Sequence, residues 1–148
     1  NINQDMSILN TKNLGYYKMD CVVSPKVFEE NPDLLNPTQP ISIPFVINEP
    51  KCIFRQIFEK NCEHETIEIR HTVELGSIPS IINLVENDFG MTYLPSFTLE
   101  NKLKNKQLIK IPTNEDNTDL NPVIAYHRNK ASNPLMNLFI ELAQKHIQ

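Results

Sequence analysis

Few side chains in this 148-residue sequence are placed to do chemistry, and only one run gathers several of them. Cys62-Glu63-His64-Glu65 has the ligand types a zinc site uses. Four consecutive residues that straddle a helix end and a strand start would not converge on one ion, however. The other cysteines, Cys21 and Cys52, have no Cys-x-x-Cys partner. Neither a metal nor any other cofactor is expected. Cys21 and His127 could pair as nucleophile and base if their strands were neighbours, but no third group is at hand to orient them. The sequence contains no Gly-x-Ser-x-Gly elbow, no P-loop and no dinucleotide-binding glycine pattern. With three glycines in all, a phosphate-cradling loop cannot be assembled. Nothing here supports an enzyme.

The elements that must position these residues alternate from about residue 43 onward. Ile43 to Ile47 is a short apolar run of the kind found in a strand covered on both faces. Ile53, Phe54, Ile57 and Phe58 then mark one face of a helix of about ten residues, with Asn48 where an N-cap belongs and Pro50 in the first turn. Residues 67 to 75 alternate strictly and predict a strand, with His71 on its apolar face and so buried. Ser77 caps a helix spaced Ile78, Ile81, Ile82 and Val85, with Pro79 in its first turn. A strand at Met91–Leu94, a helix over Ser96–Leu103, a strand at Leu108–Ile111 and an exposed loop over 112–121 follow. The chain then reads as a strand at Pro122–His127. Its last helix begins at Asn133-Pro134, with Leu135, Leu138, Phe139, Leu142 and Ala143 on the buried face. Connections this short between strands and helices indicate an α/β sheet with parallel components.

The first 42 residues behave differently. Tyr17 to Val23 predicts one strand; four prolines then punctuate a stretch with at most one turn of helix near Val27–Asn31. Before residue 17 there is little to pair with. A net charge of −4 and a pI near 5.5 argue against this segment gripping nucleic acid by itself. The sequence has no apolar run long enough for a membrane span and no leader pattern. Its odd cysteine count suits reduced thiols, so a cytoplasmic domain is expected.

Several stretches together resemble the effector-binding domain of LysR-type transcriptional regulators. They are the strand ending Val22-Val-Ser-Pro25, the Ile53-Phe-Arg55 that opens a helix, and above all the run from Gly76 to Pro95. The tail, with His127-Arg-Asn-Lys130 and then Ser132-Asn-Pro134, also fits. The chain departs from the family at Lys26-Val-Phe28, where a His-Pro pair is common, and at Asn61-Cys62, where a Gly is usual. The resemblance implies a type II periplasmic-binding-protein-like, Rossmann-like lobe, a mixed sheet flanked by helices, with the remnant of a second lobe. Effector-binding subdomain II would span 24–122. Residues 1–23 and 123–148 would be crossing strands and partial subdomain I.

By the same resemblance, a small-molecule effector would bind between the lobes and control transcription. DNA would be touched only through an N-terminal domain outside this chain, and the regulator would be a homodimer or homotetramer, with no membrane partner. The implied ligand-binding residues are Asn48, Glu49, Pro50 and Lys51 at one helix start, Gly76 and Ser77 at the next, and Tyr17 before the crossing strand. The physics of a helix start agrees, since free N–H groups and the positive dipole end stabilise an anion. Lys51 adds a charge and Glu49 opposes it, which argues against a small anionic effector. Arg55 matches a recurrent family arginine and is left outside the site. The alternative from another class is a periplasmic-type solute-binding protein, which would carry a leader and a complete first lobe.

Overall fold

The computed structural model describes residues 8–34, 39–113, 120–130 and 133–147. Its elements run β1 (Leu9–Asn13), β2 (Met19–Val23), α1 (Pro25–Glu30), β3 (Phe45–Ile47), α2 (Ile53–His64), β4 (Thr72–Glu74), α3 (Ile78–Glu86), β5 (Met91–Pro95), α4 (Ser96–Lys104), β6 (Ile109–Ile111), β7 (Val123–His127) and α5 (Pro134–Ile147). They fall into two compact units, one built from the chain's two ends and one from Lys18 onward through β6. β2 is an inner strand of the second unit's sheet.

That sheet has the order β4-β3-β5-β2-β6. The pairs β3–β4 and β3–β5 are parallel, whereas β2 runs antiparallel to β5 and β6. Successive strand residues face opposite ways, so two helical layers are needed to cover it. On one face α2 packs Phe58 flat against Phe45, with ring centroids 4.1 Å apart, and next to Tyr93 at 5.1 Å. On the other face Val22, Val46 and Leu94 meet Ile81 and Val85 of α3 and Leu99 of α4. Every residue of β2, β3 and β5 is buried, which is why these strands read as continuous apolar runs rather than alternating ones.

Local chemistry accounts for the entry to several elements. Ser24 caps α1, accepting from the Val27 amide at 3.2 Å. Gly90 holds φ +158°, and a Cβ there would stand 2.1 Å from the Pro44 carbonyl oxygen that accepts from the Met91 amide. Only glycine lets β5 enter beside β3.

The structure corrects several readings. The alternating run 67–75 narrows to β4, with one isolated bridge from Ile69 to Ile41. His71 is exposed rather than buried, although Ile67, Ile69, Val73 and Leu75 are each half-buried. This strand lies at a sheet edge, where no neighbour extends the ladder. Helix α2 starts at Ile53 with Cys52 at its cap; Asn48 does not cap it, and Pro50 precedes it. The proposed loop at 112–121 falls largely outside the described residues, since 114–119 are not among them.

The first unit holds the other two corrections. Residues before 17 do pair: β1 runs antiparallel to β7 from Leu9–His127 to Asn13–Val123. The expected buried face of α5 is the exposed one, with Leu135 71%, Leu138 51%, Phe139 59% and Leu142 47% accessible. Ala143 of the expected face is half-buried, and it lies inward with Met136, also half-buried, and Ile140, which is buried.

Candidate functional site

Six of the seven expected ligand residues lie in the second unit, at the carboxyl ends of two neighbouring parallel strands, β3 and β4. In open α/β sheets this is the edge at which ligands bind. The chain leaves β3 at Asn48, turns through Glu49, Pro50 and Lys51, and enters α2. The Cys52 amide closes this turn by donating to the Glu49 carbonyl at 2.9 Å. Glu49, Pro50 and Lys51 are exposed. Cys52 makes no side-chain cap bond, so the first-turn amides of α2 have no intrahelical acceptor and no side chain of the cap to take them.

The second turn leaves β4 at Leu75 and enters α3 through Gly76 and Ser77. Ser77 stands at the cap position with extended backbone, φ −135° and ψ 120°, yet its hydroxyl makes no cap bond. The expected Ser77 cap is therefore a cap in position only. A Cβ added at Gly76 would meet nothing within 4 Å, so the fold itself leaves room there.

The two turns are tied together. The Leu75 amide donates to the Ile47 carbonyl at 2.9 Å, and Asn48 Nδ2 donates to the Leu75 carbonyl at 3.4 Å. That second bond sets the carboxamide's orientation and leaves Asn48 Oδ1 buried without a donor. Arg55, outside the expected site, reaches the first turn and the end of β4 at the foot of the second. Its Nη1 donates to the Asn48 carbonyl at 3.2 Å and to Glu74 Oε2 at 3.0 Å, and its Nε donates to Glu59 at 2.7 Å. Only the Glu59 contact, four residues along the same helix, could have been found from spacing.

Tyr17 belongs to the first unit. It is half-buried and bridges Leu120 by two backbone bonds, at 2.8 and 2.7 Å. The same unit carries an open groove of about 560 Å³ beside Gly15, Tyr16, Glu141 and Lys145, which none of the expected ligand residues lines.

The residues weighed for catalysis belong to different units. Cys21 is wholly buried in the five-stranded sheet, and His127 is in the two-stranded one. Burial foremost, then neighbouring Cys62 and Asp20, pushes the Cys21 thiol above its ordinary range, which favours the protonated thiol over the thiolate. In the Cys62–Glu65 run Cys62 points into the core, while His64 is exposed and lies 3.5 Å from Glu65. Among the described residues no group of three or more His, Cys, Asp or Glu gathers as a metal site would require. No helix among them is long and apolar enough to cross a membrane.

A family model described as the LysR substrate binding domain matches residues 2–148. The chain is 35% identical over 137 residues to the HTH-type transcriptional regulator YfiE of Escherichia coli K12. That match covers 93% of this chain and 46% of the relative, so the chain spans under half the relative's length. Among solved structures, it matches the regulatory domain of Synechocystis PCC6803 CcmR in complex with 2-PG at TM-score 0.73 and 16% identity, over 95% of this chain and 67% of that one. It matches the apo regulatory domain of Salmonella typhimurium HypT at TM-score 0.73 and 13% identity, over 99% and 69%. For full-length LysG of Corynebacterium glutamicum with bound effector Arg, the values are 0.69 and 12%, over 95% and 47%.

Proposed function

We propose that this chain, which belongs to the LysR substrate-binding domain family, is the larger part of the sensing domain of a transcriptional regulator, and that a small polar effector meets it at the turns after β3 and β4. Its fold is the type II periplasmic-binding-protein-like α/β fold of that family. Two of the structural relatives hold small molecules, 2-PG in CcmR and Arg in LysG. The observation that carries the reading is the pair of open helix starts, joined turn to turn, with Lys51 exposed on one and the Ser77 hydroxyl making no cap bond on the other. Such a pair can take a carboxylate or other acceptor by backbone amides alone. Tyr17 is proposed as a further effector contact from the first unit.

The remaining roles are proposals of the same kind. Subdomain II corresponds to about 24–122, and the flanking segments belong to a subdomain that further polypeptide completes. The accessible apolar face of α5, and the third of each relative's regulatory domain that this chain does not cover, support that view. DNA contact, assembly into dimers or tetramers, a cytoplasmic location and the lack of catalysis follow the family. An effector that binds one state of the regulator more tightly shifts it by the difference, and a coupling of ~1–3 kcal/mol suffices for switching.

Thermal-shift screening of the whole protein against amino acids and organic acids tests the site. A hit should raise the melting temperature. Lys51→Ala should weaken any anionic hit several-fold, by isothermal titration, and unchanged affinity would remove the β3–α2 turn from the site.

A further inference from the structure

We propose that Arg55 is the positioning residue of this site, the brace that sets the spacing between the β3–α2 turn and the β4–α3 turn. The inference rests on the reading that both turns meet the effector. One guanidinium nitrogen serves one partner at the foot of each turn, the Asn48 carbonyl just after β3 at 3.2 Å and the carboxylate of Glu74, the last residue of β4, at 3.0 Å. The Nε bond to Glu59 holds the side chain in the rotamer that makes this possible. A planar, permanently charged fork can hold three such acceptors in one geometry, which an ammonium group on a flexible stem cannot.

The brace is suited to geometry more than to stability. The Arg55 side chain is only 16% exposed, but Glu59 and Glu74 are 46% and 51% exposed, and ion pairs with such partners contribute little to folding. The neighbouring Asn48 supplies a reason for a brace. Its Nδ2 is committed to Leu75, its Oδ1 is buried without a donor, and its carbonyl is the atom Arg55 grips. A turn that keeps an unfilled acceptor indoors has a ready alternative, in which Asn48 swings outward to water. Arg55 holds it against that alternative and so keeps both helix starts in register before any ligand arrives. This preorganisation lowers the ordering cost of binding.

Hydrogen exchange by mass spectrometry on the whole protein tests this without knowledge of the effector. In Arg55→Met, peptides covering 47–52 and 74–77 should exchange roughly tenfold faster, while β5 peptides stay as in the wild type. Arg55→Lys, which keeps the charge but cannot grip both turns, should fall between. Unchanged exchange in the turns, or an equal rise in β5, overturns the brace. Sulfate serves as the anion probe for the second arm. It should slow exchange in both turns of the wild type, with the midpoint concentration about tenfold higher in Arg55→Met. An equal midpoint in both proteins overturns the positioning role. If sulfate protects neither turn of the wild type, these helix starts take no anion, and the reading that their amides receive the effector's acceptor fails together with Arg55's role in it, while the exchange data still decide whether the two turns are braced.

Discussion

The two units handle apolar surface in opposite ways. In the second unit, β2, β3 and β5 are buried throughout and aromatic rings stack across the α2 face. In the first, among the described residues, two strands pair with each other alone and α5 turns four large apolar residues to the outside. Ile140 is its only buried apolar side chain among the described residues. A two-stranded ribbon is marginal in water by itself, and a segment this short cannot enclose a core. The contrast teaches that amphipathic pattern and burial are separate facts. Both units have the pattern, but only one has the partners.

Two substitutions should display that contrast at its largest. Phe45→Ala removes a fully enclosed ring and should cost about 3–5 kcal/mol in urea denaturation. Leu138→Ala on the open face of α5 should cost less than about 0.5 kcal/mol in this chain. In the whole regulator, where further polypeptide is proposed to cover that face, the same change should cost about 2–5 kcal/mol. Equal effects of Leu138→Ala in the two contexts would show that nothing covers α5.

What the sequence made legible divides along the same line. Helix α3 and strand β5 could be read because their signals are local and their faces are covered, so spacing and burial coincide. Strand β1 (Leu-Asn-Thr-Lys-Asn) has no such signal; β7, more than a hundred residues on, makes it a strand. For α5 the apolar face was identified correctly and its burial was not, because a pattern says which side is apolar and not what lies against it. At the site, Asn48 and Pro50 carry the signal of a helix opening, but both residue types serve turns as well as caps. The helix begins only at Ile53. The role of Arg55 is not legible in the sequence, since its decisive partners, Glu74 and the Asn48 carbonyl, are set by the fold and not by spacing.

Gly76 sharpens the comparison inside the second unit itself. Gly90 is required by the fold, because a side chain there strikes the Pro44 carbonyl. Gly76 has neither a left-handed backbone nor a neighbour for an added Cβ. Gly76→Ala should therefore leave folding unchanged or stabilise it by about 0.4–1 kcal/mol, through loss of unfolded-chain freedom. If the effector approaches the backbone there, the same variant should bind it more weakly in calorimetry. A variant equally stable and equally tight would place Gly76 outside the site.

The smallest expected effect is a pH dependence at the entry to β5. Asp88 accepts from the Ser24 hydroxyl at 2.7 Å and pairs with Lys26 at 3.4 Å. The Ser24 bond first, with Lys26 adding to it and partial desolvation opposing, holds its carboxyl below the usual aspartate range. A carboxylate whose folded pKa is depressed favours folding above its unfolded value, near 3.9, and that contribution fades as pH falls through the lower folded value. Urea midpoints measured from pH 5 down to pH 2 should thus fall less steeply for Asp88→Asn than for the wild type. Ser24→Ala should flatten the same limb while also losing the α1 cap at every pH. Parallel curves for wild type and Asp88→Asn would mean that the Ser24–Asp88 bond adds nothing to the joint between α1 and the turn before β5. The firmness of the second unit would then rest on its covered sheet faces alone.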